Sequence, residues 1–232
     1  MKRVSLIVVT FALASFLGLV TSANAQEFQA SYKQYEVGPI ATGGASIFTG
    51  TVPDGAKTDI QLAYTAGVFA DYMFNKNFGV GLGLGYESRG VFFKAQGSDT
   101  PNHKETIGYL SLQPSFKIKS FMLGADINLP LSGTAKHDNG LGVVSSSIGK
   151  DSMGTLIDVR ASVFLPLVEN DKGNLDFLIQ AAYCLTDFFG DPGRQFSGIQ
   201  TSADIVKKSP VPTVQIGFTY LFSPGGPVYE KR

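Results

Sequence analysis

Eight charged residues recur at alternate positions within small or apolar segments, and they are the first candidates for chemistry. They are Asp71, Glu87, Arg89, Lys117, Asp126, Asp158, Arg160 and Asp176. Successive side chains of a β-strand point to opposite faces, so each of these residues falls on the face opposite its apolar neighbours. Enclosed together, they could line a selective channel or pair with one another in a filled lumen. We expect pairing, because an unpaired buried charge is costly.

The two histidines are the candidates for acid–base catalysis. His103 precedes Glu105, and His137 precedes Asp138 and the serine run 145–147. A catalytic base must reach its nucleophile at about 3 Å. Both histidines fall in segments that we predict to be polar loops without fixed geometry. We therefore expect no catalytic residue and a protein that is not an enzyme.

Metal and cofactor sites are not indicated by the residue spacing. Asp99, His103 and Glu105 could meet a cation, and Asp187 could do so with Asp191, but neither spacing matches a known metal-binding loop. The glycines between residues 79 and 85 are not followed by a helix, so they do not indicate a nucleotide site. We expect no metal ligand and no cofactor.

The segment from Phe78 to Arg89 shows what kind of element carries the charges. Apolar and aromatic side chains alternate there with four glycines, Glu87 and Arg89. A helix could not keep a period of two, and each glycine would penalise it. The segment is therefore a strand with one apolar face and one small or charged face.

The same alternation recurs along the chain and predicts eight strands between about residues 37 and 222. Their approximate ranges are 37–49, 62–74, 78–89, 109–118, 121–129, 157–165, 175–186 and 213–222. Short turns at 75–77, 119–120 and 169–174 alternate with longer polar loops at about 51–58, 95–105, 131–153 and 189–209. This asymmetry is typical of outer-membrane barrels, with short periplasmic turns and long outer loops. The sequence thus predicts an all-β, eight-stranded, antiparallel, up-and-down transmembrane β-barrel.

Two prolines interrupt this pattern. A closed barrel has no edge at which a missing backbone donor could be hidden. We therefore expect a β-bulge at Pro114 and a strand end at Pro166.

The apolar face is predicted to contact lipid. The residues assigned to it are Phe78, Val80, Leu82, Leu84, Tyr86, Phe218, Tyr220 and Phe222. The alternative is a soluble sandwich or lipocalin-like barrel, whose apolar face would point inward. Glycines and charges of both signs on the polar face, and aromatic residues near several turns, favour the membrane barrel.

The N-terminus predicts export. Lys2 and Arg3 precede a nearly continuous apolar run from Val4 to Val20, and Ala23-Asn24-Ala25 fits a cleavage site. We expect residues 1–25 to be a signal peptide cleaved after Ala25, with an uncleaved membrane anchor as the alternative. Residues 26–232 then form one barrel domain with a short C-terminal tail at 223–232.

Charge and cysteine content exclude two further classes. The formal net charge is zero, with 19 basic and 19 acidic residues, which argues against a nucleic-acid surface. The single cysteine, Cys184, excludes an intramolecular disulfide and is expected to be a small interior side chain.

Several segments together resemble the PorT-like, Bacteroidota-type outer-membrane β-barrel family. They are residues 82–90, residues 109–114 with Lys117, Asp158 at the start of the sixth strand, residues 182–186 and residues 215–222. The resemblance implies an eight-stranded barrel in the bacterial outer membrane. The member that gives the family its name is linked to secretion of gingipain-type proteins, so the resemblance also implies an accessory role in secretion as an alternative.

These observations predict a non-enzymatic outer-membrane barrel with a structural or surface-interaction role and a lumen plugged by side chains. The first alternative is an accessory component of secretion or transport across the outer membrane. The second is a lipid-modifying enzyme at the barrel rim. Expected partners are outer-membrane lipid, the barrel-assembly machinery during insertion, and surface or secretion proteins, with no nucleic acid.

Overall fold

The computed structural model of the protein describes residues 31–50, 56–95, 103–138, 142–190, 195–196, 199–200, 209–225 and 227–229. The chain divides into two compact units, Tyr32–Val228 and a smaller one that combines residues 1–31 with 229–232. The predicted signal peptide and its cleavage site lie outside the described residues and stay predictions. The strands and side chains discussed below belong to the larger unit.

Eight long strands form the framework, and we number them β1 to β8 in chain order. They are β1 (Tyr35–Ser46), β2 (Gln61–Met73), β3 (Phe78–Ala95), β4 (His103–Ile118), β5 (Phe121–Asp138), β6 (Leu156–Asn170), β7 (Gly173–Cys184) and β8 (Thr213–Phe222). Each pairs antiparallel with its sequence neighbour. β8 closes on β1, from Thr213 opposite Ser46 to Phe222 opposite Val37. The predicted closed, up-and-down ring of eight strands is therefore confirmed.

Three strands are much longer than predicted at the end of the barrel away from the short turns. β3 and β5 have 18 residues each and β4 has 16, whereas a tilted spanning strand needs about 9–11. Ala56–Thr58 adds to the edge of β3, and Val143–Ser147 adds to the edge of β5. Parts of the segments predicted as loops at 51–58, 95–105 and 131–153 are thus strands. We call this extension the rim sheet, formed by residues 56–58, 89–95, 103–108, 132–138 and 143–147.

The described residues contain one helical turn, Lys150–Ser152, beside the rim sheet segment that ends at Ser147. In this part of the chain, no helix is long and apolar enough to cross a membrane.

The bulge predicted at Pro114 is wrong. Pro114 pairs with Leu82 of β3 without a register change. Towards β5, the ladder omits Gln113 and Pro114 and resumes in the same register at Ser115. The irregularity of this pair of strands lies instead at Gly108 and Tyr109. A local gap in pairing, rather than an extra residue, accommodates the missing backbone donor.

The strand end predicted at Pro166 is also wrong, because β6 continues to Asn170. Pro166 pairs with Asp176 of β7, next to a register shift. On the other side, the last β6 residue that pairs with β5 is Val163. Pro166 therefore lies where β6 extends past its neighbour, which is an edge-like position that tolerates proline.

The barrel is apolar outside and polar inside, the reverse of a soluble β-protein. Seven of the residues predicted to face lipid are between 37% and 54% exposed: Phe78, Val80, Leu82, Leu84, Tyr86, Phe218 and Phe222. Tyr220 is half-buried, because its ring packs 4.6 Å from that of Phe222. Opposite this face, the interior holds the charged residues and two apolar clusters.

The glycines of β3 make room for large side chains inside the barrel. A Cβ atom at Gly81 would lie 2.4 Å from Cζ of Phe69 and 2.8 Å from Oγ of Ser115. Phe69 is fully buried and belongs to one of the apolar clusters, so it has little room to move. The missing side chain at Gly81 is therefore part of the interior packing.

Gly81→Ala should lower the free energy of unfolding by about 1–3 kcal/mol, because it overpacks the barrel interior. Equilibrium urea unfolding in lipid vesicles measures the change. Gly43→Ala is the matched control, since a Cβ atom there would meet nothing within 4 Å. Equal stability of the two variants would contradict a tightly packed interior at Phe69.

Candidate functional site: the charge network inside the barrel

All eight charged residues predicted to face the lumen are buried, at 0–8% exposed. Strand alternation places them there, since each lies between outward-facing neighbours. They separate into two clusters along the barrel. A lower cluster around Lys117 lies near the short turns, and an upper cluster around Arg89 lies towards the rim sheet.

Arg89 is the centre of the upper cluster and is fully buried. Its Nε donates to Oε1 of Glu87 at 2.5 Å. Its two terminal nitrogens donate to the two carboxylate oxygens of Asp158 across the barrel. Asn128 Nδ2 donates to Oδ2 of Asp158 at 2.8 Å. Arg89 thus joins two acids. Its contact with Asp158 is bidentate, which is the strongest geometry available to an arginine–carboxylate pair.

Arg160 is bound less completely than Arg89. One of its terminal nitrogens donates to Oε1 of Gln113 at 2.5 Å, and the other lies 3.4 Å from Oδ1 of Asp126 without hydrogen-bond geometry. Arg160 and Asp126 therefore form an ion pair without a hydrogen bond. Asp158, on the same strand as Arg160, pairs with Arg89 instead. β5 and β6 place Asp126 directly opposite Asp158, so two arginines lie close to two facing acids.

The lower cluster forms around Lys117. Its Nζ donates to Oδ2 of Asp71 and lies 3.7 Å from Oε2 of Glu36. The ammonium group also lies 5.3 Å from the centre of the Phe164 ring. Asp176 is buried on the same face but forms no ion pair with a described residue. This cluster closes the end of the barrel near the short turns.

Sequence reasoning missed the remaining members of the lower cluster. Glu36 accepts hydrogen bonds from Asn174 Nδ2 at 2.8 Å and from Ser223 Oγ at 3.2 Å. Lys33 Nζ donates to the carbonyl of Gly173 at 3.1 Å and to the Asn174 side chain. The sequence could have indicated Glu36. If the first strand is taken to begin at Tyr35, strand alternation places Glu36 on the same inward face as Gly38 and Ile40.

A set of uncharged hydrogen bonds fills the level between the clusters. Oε1 of Gln215 accepts from Thr42 Oγ1 at 2.5 Å, from Thr65 Oγ1 at 3.0 Å and from Gln180 Nε2 at 2.7 Å. These residues come from β1, β2, β7 and β8. Strand alternation puts Gln180 and Gln215 on the polar face of their strands. Only closure of the ring brings residues of the four strands around Oε1 of Gln215.

Two apolar layers complete the interior. The lower one is Ile40, Phe69, Met122, Phe164, Leu178 and Leu221. The upper one lies on the inner side of the rim sheet and consists of Phe48, Val91, Phe93, Ile107, Tyr109, Ile148, Met153, Leu156, Cys184, Phe188, Phe189 and Val211. Cys184 is thus a buried packing residue, as expected from its strand. Charged, apolar and amide levels therefore follow one another along the barrel.

The prediction that His103 lies in a polar loop is wrong. It begins β4, is buried, and its Nε2 lies 2.9 Å from Oε1 of Glu105. His137 lies on β5 directly opposite His103. Ser145, Ser146 and Ser147 are exposed on the added edge strand. Long strands in place of loops give His103 its fixed, internal position.

Among the described residues, no group of three or more histidine, cysteine or acidic side chains is arranged so that it could hold a metal ion. Asp99 and Asp191, two of the residues considered for a cation, lie outside the described ranges. Asp187 accepts a hydrogen bond from the backbone of Ser209 at 3.0 Å, which supports the loop after β7.

Comparison with known families identifies one match. The sequence profile of the family described as "Outer membrane protein beta-barrel domain" matches residues 11–176, more than half of the chain. The match begins inside the predicted signal peptide and ends within β7. It is the general barrel family, and the narrower PorT-like, Bacteroidota-type assignment stays a prediction. No curated protein matches the sequence.

Solved structures of outer-membrane proteins are similar to this chain. The attachment invasion locus protein Ail of Yersinia pestis has 16% identity and a TM-score of 0.42, covering 82% of this chain and 99% of that one. Neisserial surface protein A has 12% identity and a TM-score of 0.36, covering 84% and 99%. The outer membrane protease OmpT from Escherichia coli has 8% identity and a TM-score of 0.33, covering 86% and 99%.

Proposed function

The chain belongs to the outer membrane protein β-barrel domain family, and from this premise we propose that it is a closed, non-enzymatic barrel that acts through its outer rim. Its location is the bacterial outer membrane. Its role is structural or one of surface interaction, and it forms no ion-conducting pore.

The observation that carries this proposal is the filled interior. Arg89 and Arg160 are among the largest fully buried side chains that the structure describes, and both lie in the lumen where a pore would need water. Apolar layers lie on both sides of them. An eight-stranded barrel is just wide enough for its side chains to fill, so such a set leaves no continuous aqueous path.

The rim sheet supports a role at the cell surface. It extends three strands beyond the length needed for spanning and is packed on its inner side by the upper apolar layer. A rigid sheet presents its outward residues in fixed positions, which suits recognition better than a mobile loop. Surface or secretion proteins and outer-membrane lipid are the proposed partners, with the barrel-assembly machinery acting during insertion.

The geometry of the rim gives little support to the alternative of a lipid-modifying enzyme. A general base must reach a nucleophile and its substrate. His103 is buried and paired with Glu105, whereas the serines at 145–147 face solvent. A conductance measurement distinguishes a closed barrel from the other alternative, an accessory role in secretion or transport.

Purified full-length barrel inserted into planar bilayers should show no stable, porin-like conductance. The reason is that ion pairs and apolar layers occupy the lumen. A general porin in the same bilayers is the positive control. Steady openings of large conductance would contradict the closed barrel and favour the transport alternative.

A further inference from the structure

Four lysines form a row across the outward face of the rim sheet. Lys57 lies directly opposite Lys94 on β3, and Lys104 of β4 lies directly opposite Lys136 of β5. Lys104 is paired with Phe92, so Lys94 is its diagonal neighbour. The row therefore crosses four adjacent strands, at about 4.8 Å per strand. Lys57, Lys94 and Lys136 are exposed and Lys104 is half-buried, which places the row on the outer side.

Among the side chains that the structure describes, no acidic group pairs with this row. Lys57, Lys94, Lys104 and Lys136 differ in this respect from Lys117 inside the barrel, which forms ion pairs with Asp71 and Glu36. Like charges directly opposite each other on a sheet are destabilising, and this sheet has two such pairs. The row is therefore costly to the isolated protein and becomes favourable when an anion binds alongside it.

The position of the lysine row relative to the exposed leucines of the same strands indicates which kind of anion it would meet. The lysines share the outward face with the apolar residues of the same strands, Leu84 on β3, Leu110 and Leu112 on β4, and Leu129 on β5. From Leu110 to Lys104, six residues of a tilted strand rise roughly 14 Å. Lysine side chains can bend back towards the membrane surface by several ångströms. With Leu110 at the edge of the hydrocarbon core, the ammonium groups reach the level expected for the lipid headgroups.

We propose that Lys57, Lys94, Lys104 and Lys136 bind phosphate groups on the headgroups of the surrounding outer-leaflet lipid. The site lies on the outward face of the barrel wall, which continues from the exposed leucines of the same strands. Clustered lysines beside a membrane span recognise anionic headgroups by charge. This inference rests on the proposed function in one respect, namely that the outward face of the barrel contacts the lipid of the outer membrane.

Titration of the detergent-solubilised full-length barrel with bisphosphorylated lipid A, followed by native mass spectrometry, tests the proposal. The test variant is Lys104→Gln with Lys136→Gln. The control variant is Lys150→Gln with Lys172→Gln, which removes the same charge from two exposed lysines outside the row. Folding of every variant is checked independently by its gel shift on heating, so failure to form a barrel is not confused with loss of lipid binding.

We expect the test variant to bind bisphosphorylated lipid A at least about tenfold more weakly than the wild type, since one such lysine contributes about fivefold. The control variant should stay within about twofold of the wild type, and dephosphorylated lipid A should bind weakly to all three. Equal losses in the two double variants would overturn the proposal. So would equal binding of dephosphorylated lipid A, or displacement of the lipid by millimolar inorganic phosphate, which would indicate a site for any small anion.

Discussion

Arg89→Ala should lower the free energy of unfolding of the barrel by about 3–5 kcal/mol. Arg89 is the cation that binds Glu87 and both oxygens of Asp158, and all three side chains are buried. Its removal leaves two acids without a partner in a region closed by an apolar layer. Equilibrium urea unfolding in vesicles measures the loss. Lys172→Ala, at an exposed turn, is the control and should change stability by less than about 0.5 kcal/mol.

A charge-balanced variant separates lost pairing from lost volume. Arg89→Met combined with Glu87→Gln and Asp158→Asn removes the cation and both acids while keeping similar sizes. We expect this triple variant to be clearly more stable than Arg89→Ala, because replacing a whole buried ion network is often neutral whereas breaking one is not. If the two variants were equally unstable, the cost would come from packing rather than from unpaired charge.

Leu82→Arg should reduce the free energy of folding into a bilayer by about 2–4 kcal/mol. Leu82 is the fifth residue of β3, lies between the outward-facing Val80 and Leu84, is 51% exposed, and pairs with Ala70 and Pro114 on the two adjacent strands. An arginine there would have to enter the hydrocarbon core near its midplane. The folded fraction in phosphatidylcholine vesicles, read from gel shift on heating, measures the effect.

The control for this experiment is Val143→Arg. Val143 is 67% exposed and lies on the edge strand of the rim sheet, beyond the predicted spanning region. We expect a change of less than about 0.5 kcal/mol there. Similar losses at both positions would show that Leu82 does not face lipid, and the assignment of the outer face would have to be abandoned.

Both experiments depend on the inverted distribution of polarity in this barrel. Charges that would cover the surface of a soluble protein are enclosed and paired in the lumen. Leucine, valine and phenylalanine side chains that would form its core are exposed on the outside. Arg89→Ala tests the inner half of that arrangement and Leu82→Arg tests the outer half, so the two results are independent.

The sequence by itself determined the number of strands, their antiparallel order and the face on which each residue lies. A hydrophobic pattern with a period of two shows directly which side chains of a strand point inward. Shifting that pattern by one residue would exchange every inward-facing and outward-facing side chain. The alternation alone therefore places Asp71, Glu87 and Asp158 in the lumen. It places Leu82 and Phe218 on the outer face, and the structure agrees for all five residues. The alternation of short and long connections then predicted the closed ring.

Strand ends were predictable only where turn residues marked them. At the short turns, Asn75 and Asn170 accept hydrogen bonds from the backbone nitrogens that follow. The predicted turns at 75–77 and 119–120 agree with the structure, whereas β6 runs five residues past its predicted end. At the other end of the barrel, polar residues continue as strands because neighbouring strands satisfy their backbone groups. A polar composition there indicated loops, although His103 and Lys136 belong to an ordered sheet.

Only the tertiary structure decided which inward residues meet. Arg89 and Asp158 are 69 positions apart in sequence, and Thr42 and Gln215 are 173 apart. A strand pattern states that a side chain points into the lumen, but not how far along the barrel axis it lies or which side chain faces it. Register and closure of the ring fix those two coordinates. For that reason Asp158 binds Arg89 across the barrel rather than Arg160 on its own strand.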